Sequence, residues 1–165
     1  MSEIQEIRLA TINDLPQIVD VYNLSIPGRL ATADTEPVTV ESRTEWFHAH
    51  TGNRPLFVVI EKKQVIAFLS FKSFYGRPAY SITAEIGIYI HPDHQKKGLG
   101  KILLQKAIDE APKLKLENLL GFIFGHNEPS IKLFKKFGFA EWGNLPGLAR
   151  IDGKKIDLLI FGRKI

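Results

Sequence analysis

The stretch that most constrains the fold runs over residues 82–104, ITAEIGIYIHPDHQKKGLGKILL. Ile86, Ile88 and Ile90 alternate with Glu85, Gly87 and Tyr89, which is the two-residue period of a strand. Pro92 ends that strand, because proline cannot continue a central ladder. Beyond Gln95-Lys96-Lys97-Gly98-Leu99-Gly100, apolar residues recur at Leu99, Leu103, Ala107 and Ala111, with Ile102, Leu104 and Ile108 beside them. That is helical spacing. A strand, a basic glycine-containing turn and a helix therefore follow one another. The helix start supplies unpaired N–H groups and the positive end of a macrodipole. Gly98 and Gly100 let a ligand come close to the backbone. The combination suits phosphate or pyrophosphate. It is neither the GxGxxG nor the GxxxxGK[ST] fingerprint.

A chain of 165 residues, 44% apolar and 24% charged, fits one globular domain over residues 1–165 with a sizeable core. The excess of 22 Lys+Arg over 18 Asp+Glu, net +4, suits an anionic small ligand. No basic run interleaved with aromatics points to a nucleic-acid partner. Zero cysteines excludes disulfides, thiolate metal sites and a cysteine nucleophile. His48-x-His50 and His91-x-x-His94 lack the further ligands a metal needs, so no metal is expected. No apolar signal core is visible in MSEIQEIRLA and no apolar run is long enough for a bilayer. The expectation is a cytoplasmic enzyme without a membrane partner.

Along the chain, Ile4 to Ala10 reads as a first strand, followed by a helix whose face is Leu15, Ile18, Val19 and Tyr22. Residues 26–39 have no period and read as a loop or a short irregular helix, and a loop of that length is often functional. Ser42-x-x-Glu45 fits a capping box ahead of Trp46 and Phe47. Leu56–Ile60 and Val65–Phe71 form a hairpin across Glu61-Lys62-Lys63-Gln64, and residues 73–80 form another loop. Leu119–Phe124 is a strand. Asn127 caps a helix whose buried face is Ile131, Leu133, Phe134 and Phe137, and Gly138 closes it. Residues 139–143 and 156–162 read as terminal strands around a Gly/Pro-rich connection. The class is mixed α/β, with hairpins in the first half.

Gln95, Gly98 and Gly100, placed between a strand and a helix, resemble the Q/R-x-x-G-x-G/A turn of the GNAT N-acetyltransferases. Asn127 to Phe139 is similar to that family's N-x-x-[AS]-x-x-[LM]-[YH]-x-x-x-G-[FY] segment. Val21-Tyr22-Asn23, Thr35-Glu36-Pro37, Arg77-Pro78-Ala79-Tyr80, Thr83-Ala84-Glu85 and Tyr89-Ile90-His91-Pro92 resemble its phosphinothricin acetyltransferase branch, so the likeness covers nearly the whole chain. The implied fold is a twisted mixed sheet with helices on both faces and splayed central parallel strands. The implied cofactor is acetyl-CoA, with its pyrophosphate on residues 95–101 (Gln95, Lys96, Lys97, Gly98, Leu99, Gly100, Lys101) and its pantetheine arm near Asn127 and Ser130. The implied reaction is acetylation of a small amine, an amino acid or an analogue such as phosphinothricin or methionine sulfoximine. Relatives are commonly dimers, so a homodimer is expected. Two features depart from the branch. Phe134 stands where many members have a tyrosine or histidine acid, and Asp152-Gly153-Lys154-Lys155-Ile156-Asp157 lacks the histidine and tryptophan of the branch's C-terminal stretch.

Acetyl transfer needs a base for the ammonium and a donor for the thioester oxygen. Glu85 points away from the Ile86/Ile88/Ile90 stripe and is the candidate base; the alternative is a solvent-facing strand carboxylate or a partner for a lysine. The donor is expected among the backbone N–H groups of Ile88, Tyr89 and Ile90, where a splay would free one from the ladder. Lys72, Tyr75, Arg77 and Tyr80 precede the Glu85 strand and either line the acceptor site or form an exposed basic loop. Two further readings stand beside the enzyme: a non-catalytic acyl-CoA-binding module, and acetylation of a protein N-terminus or lysine.

Overall fold

The computed structural model describes residues 5–165, and Ile4 of the expected first strand lies outside the described residues. Among the described residues, seven strands form one sheet. They are β1 (Glu6–Leu9), β2 (Leu56–Glu61), β3 (Gln64–Ser73), β4 (Thr83–Ile90), β5 (Asn118–Phe124), β6 (Ala140–Ile151) and β7 (Lys154–Lys164). Their order across the sheet is β1-β2-β3-β4-β5-β7-β6. Helices α1 (Leu15–Ser25) and α2 (Val40–His48) cover one face; α3 (Leu99–Glu110) and α4 (Glu128–Lys136) cover the other.

Burial on both faces explains why β2 and β3 are apolar at nearly every position rather than alternating. Leu56, Val58 and Phe68 pack against Ile18 and Val21 of α1. Phe57, Val59, Leu69 and Phe71 join Leu99, Leu103, Leu104 and Ala107 of α3 in the larger cluster. On β4, Ala84 and Ile86 belong to that α3 side, so Glu85, Gly87 and Tyr89 face α1 and α2.

Every strand pair is antiparallel except β4 with β5. That parallel pair holds only Thr83↔Asn118, Ala84↔Leu119 and Glu85↔Leu120. Past it the strands separate, while β4 stays paired to β3 through Ile90 and β5 stays paired to β7 through Phe124. Gly121 is the first residue of β5 beyond the last parallel pair. The Phe134 ring of α4 lies on it, so closely that a Cβ at Gly121 would sit 2.5 Å from Phe134 Cε1. Phe134 is buried and packs edge-on to Phe139 at 4.8 Å. It fills the base of the fork.

Three local readings need correction. Helix α2 starts at Val40 and not after Ser42: Thr39 is its N-cap, its Oγ1 accepting from the Ser42 N–H at 3.1 Å while Ser42 Oγ accepts from the Thr39 N–H at 3.2 Å. The box is Thr39–Ser42, because a serine at the third helical position can close it as Glu45 would have done. The C-terminal strands are longer than their composition suggests. Pro146 and Gly147 fall within β6, in the register shift between Leu145 and Ala149. An edge strand tolerates a proline at such a bulge. The connection shrinks to Asp152 and Gly153, both at positive φ (51° and 79°), as a tight hairpin turn requires. On α4 only Phe134 is buried; Ile131, Leu133 and Phe137 pack against the core while partly exposed.

Gly121→Ala should cost about 1–3 kcal/mol of stability, as overpacking typically does. Phe134→Leu, which clears the ring from Gly121, should make the same alanine much less costly. Urea unfolding of the two single variants and the double variant measures that coupling; strict additivity would remove Phe134 from the fork.

Candidate active site

The direction of the β4 backbone groups follows from its flanking bonds. The His91 N–H donates to Ile66 O of β3 at 2.8 Å, and Ile82 O accepts from the Glu117 and Asn118 N–H groups on the β5 side. Odd residues of β4 therefore turn their N–H toward β3 and even residues toward β5. Beyond Glu85 no β5 residue is in register, so the N–H groups of Ile88 and Ile90 face the fork. Tyr89, predicted beside them, turns its N–H to β3 and its side chain to the other wall.

The turn after β4 continues this polar edge. Gln95 Nε2 reaches Ile90 O at 3.4 Å. Lys96 (φ 61°) and Gly98 (φ 87°) take the left-handed conformation, and Gly98 is the residue that precedes α3. A Cβ at Gly98 would meet nothing within 4 Å, so its space is open to a ligand. Gly100 serves differently. A Cβ there would stand 3.1 Å from Leu133 Cδ2, so its absence lets α3 approach α4. Across the fork, Asn127 Oδ1 accepts from the Ser130 N–H at 3.3 Å as the cap of α4, and Asn127 Nδ2 donates to Leu30 O at 3.3 Å.

One cavity of about 1040 Å³ joins these parts. Every cofactor position expected from the sequence lines it except Lys97, including Ile88, Ile90, Gln95, Lys96, Leu99, Gly100, Lys101, Asn127 and Ser130. Glu85 and Lys72 line it as well, whereas Tyr75, Arg77 and Tyr80 do not. Tyr75 is 79% exposed and forms with Phe74 and Tyr80 an aromatic group outside the cleft, with ring centroids 4.4–6.2 Å apart.

Glu85 stands directly across from Lys72 in the β3–β4 register. Burial pushes its carboxyl above the usual carboxylate range, and the Lys72 charge pulls the other way. Tyr89, stacked on Phe68 at 5.0 Å and 19°, has its phenol pushed up by burial and donates to Ala31 O at 3.4 Å.

The roof was not foreseen. Tyr22 bonds Thr32 at 2.5 Å and donates to Asp34; Arg43 bridges to Asp34 at 2.7 Å and lies 4.7 Å over the Tyr22 ring. These residues tie α1, α2 and the 26–39 loop together above Glu85. His50, set beside His48 in the sequence, pairs instead with Ser70 Oγ at 2.8 Å and Trp46 O at 2.9 Å. The available signal for Ser70 was a polar residue inside the apolar run Val65–Phe71, since a buried hydroxyl needs a partner.

Comparison with known proteins agrees with this geometry. The family model described as "Acetyltransferase (GNAT) family" matches residues 18–139. The phosphinothricin acetyltransferase-type protein YwnH of Bacillus subtilis (strain 168) is 54% identical over 160 residues, 96% of this chain and 98% of its own. The L-methionine sulfoximine/L-methionine sulfone acetyltransferase of Salmonella typhimurium is 30% identical over 153 residues, 92% of this chain and 90% of its own. The crystal structure of a phosphinothricin acetyltransferase from Sinorhizobium meliloti in complex with AcCoA superposes with a TM-score of 0.91 at 27% identity, over 98% of this chain and 88% of that one. A mixed sheet forked between β4 and β5, a glycine turn leading into α3, and these matches lead to one conclusion: the chain belongs to the GNAT family of acetyltransferases.

Proposed function

We propose that this protein transfers the acetyl group of acetyl-CoA to the amine of a small amino-acid-like acceptor, a class that includes methionine sulfone, methionine sulfoximine and phosphinothricin. The observation that carries this reading is the continuity of the cleft, from the turn at Gly98 through the fork to Glu85. The relatives named above act on acceptors of that class by their names.

The residues present fit acetyl-CoA. Gly98 and the start of α3 offer open backbone N–H groups for the pyrophosphate, with Lys96 and Lys101 beside them. The N–H groups of Ile88 and Ile90 face the fork and would donate to the thioester oxygen. When bound, acetyl-CoA supplies an activated acyl carbon with a thiolate leaving group. Glu85 takes a proton from the acceptor ammonium, directly or through water, and leaves a neutral amine. Lys72 holds Glu85 ionised and pairs with an acceptor carboxylate. Phe134 has no proton to give, so the leaving thiolate takes its proton from solvent; a thiol's reference pKa of about 8.5 makes that tolerable near neutrality.

The protein is further proposed to be a cytoplasmic homodimer. Among the described residues no helix is long and apolar enough to cross a membrane. The exposed aromatics Tyr75 and Tyr80, with Ile82, offer a second copy an apolar surface, and light scattering reads the outcome directly.

Thiol release from acetyl-CoA across a panel of amines tests the activity. Turnover with methionine sulfone or phosphinothricin is expected, and none with any amine would favour a binding module. Gly98→Ala should weaken acetyl-CoA binding in calorimetry while the protein stays folded, because an alanine at positive φ is strained and its methyl enters the ligand's space. Unchanged affinity would displace the pyrophosphate from this turn.

Glu85→Gln should lower kcat on the order of 10²-fold with acetyl-CoA binding intact. Lys72→Met bears on the sign of the pH dependence. Glu85 works ionised, burial raises its pKa and Lys72 lowers it. Removing Lys72 must therefore move the acid limb of kcat/KM to higher pH. A limb that stays in place or moves down would separate Lys72 from Glu85.

A further inference from the structure

Ser70 is a buried hydroxyl on the cleft floor that the reaction described above does not use. Even-numbered Phe68, Ser70 and Lys72 of β3 share the α1/α2 face with Glu85, Gly87 and Tyr89 of β4. In register, Lys72 lies across from Glu85, Ser70 across from Gly87, and Phe68 across from Tyr89. Ser70 is thus the diagonal neighbour of Glu85 on one surface. Gly87 has no side chain, which leaves a slot above Ser70 between the carboxylate and the stacked Tyr89–Phe68 pair. Ser70 is only 3% exposed, so an atom reaches it only by entering that slot.

The hydrogen of Ser70 is already committed. His50 Nδ1 lies 2.9 Å from the carbonyl oxygen of Trp46, which can only accept, so Nδ1 carries the ring proton. The other nitrogen, Nε2, then holds a lone pair and lies 2.8 Å from Ser70 Oγ. Ser70 must donate to it. Burial, with the Lys72 charge, outweighs the bonds to the Trp46 and Phe47 backbone and holds the imidazole below its ordinary range, which favours the neutral ring at pH 7. Edge-on contact with Trp46 at 4.7 Å fixes the ring. What Ser70 presents to the slot is therefore lone pairs only. Glu85 likewise keeps a carboxyl oxygen free to accept, both ionised and after it has taken a proton.

Two acceptors side by side on the floor match one nitrogen with two hydrogens. We propose that Ser70 and Glu85 together hold two of the three N–H groups of a primary ammonium while the third passes its proton to Glu85 through water, so that the lone pair is turned up from the floor and N-methylated amines are rejected. The proposal rests on the acetyltransferase reading above and deepens it. A secondary amine has one N–H, so it leaves one buried acceptor without a donor and presses a methyl group on the other. Ser70 touches the acceptor; His50 is a positioning residue that sets which way the hydroxyl points.

The test compares kcat/KM for L-methionine sulfone and its N-methyl derivative. Wild type should favour the primary amine by about tenfold or more, the scale of one lost buried hydrogen bond. Ser70→Ala should cut that ratio severalfold while acetyl-CoA affinity by calorimetry stays the same. His50→Phe, which frees the hydroxyl to rotate, should do likewise, and His50→Gln should restore part of the ratio because an amide oxygen can take the Ser70 hydrogen. An equal rate for both amines in wild type, or a ratio unchanged in Ser70→Ala, overturns the proposal while leaving the acetyltransferase reading intact. No turnover of these two amines, of phosphinothricin or of any other amine in the panel overturns both. Should Ser70→Ala not fold, Gly87→Ala fills the slot with only the Tyr89 ring within 4 Å of its Cβ, at 3.4 Å. It should raise KM for methionine sulfone severalfold with KM for acetyl-CoA unaltered, and an unaltered acceptor KM would overturn the slot.

Discussion

The early end of the β4–β5 ladder is the constraint on which the rest of this structure depends. Two parallel strands that are each fully paired on their outer edges make three cross-pairs and then part. Buried backbone groups need partners, so strands that diverge inside a sheet create a demand that a ligand can meet. Phe134 on Gly121 occupies the base of the fork, and the turn through Gly98 to α3 closes its mouth with further N–H groups. The proposed cofactor site is therefore the place where the secondary structure leaves its own hydrogen bonding unfinished.

The same sheet sets the chemistry of the proposed acceptor side. Strand alternation sends the isoleucines of β4 into the α3 core and delivers Glu85 to the opposite face, under α1, α2 and the 26–39 loop. Burial makes Glu85 more basic than a surface carboxylate, and a cross-strand lysine limits the shift. Arg43 and Asp34 bridge over the opposite wall, where their pairing lets charge line a partly buried space. The floor thus carries one tuned carboxylate and one oriented hydroxyl, and the roof carries a neutralised pair.

Much of this was legible in the sequence because it is written in local periods. The isoleucine stripe, the proline stop and the two glycines specify strand, turn and helix without reference to the rest of the chain. So do the Asn127 cap and the Gly138 stop. What could not be read locally depends on which strands become neighbours. Arg43 and Asp34 are nine residues apart but acquire meaning only when α2 and the 26–39 loop fold over Glu85. His50 and Ser70 are twenty apart and meet because α2 ends over β3. In the sequence the nearest polar neighbour of the same kind was His48, and nothing linked His50 to Ser70. Pro146 misled in the opposite way, since proline argues against a strand unless the strand is an edge with a bulge, and edge position is a property of the whole sheet.

Amide hydrogen exchange along β4, read residue by residue with NMR, tests the fork most directly. The account predicts that Ile88 and Ile90 exchange faster than Gly87 and Tyr89, whose N–H groups are paired with β3, and that acetyl-CoA slows Ile88 and Ile90 selectively. Uniform protection along β4 without ligand, or exchange at Ile88 and Ile90 that acetyl-CoA leaves unchanged, would contradict it.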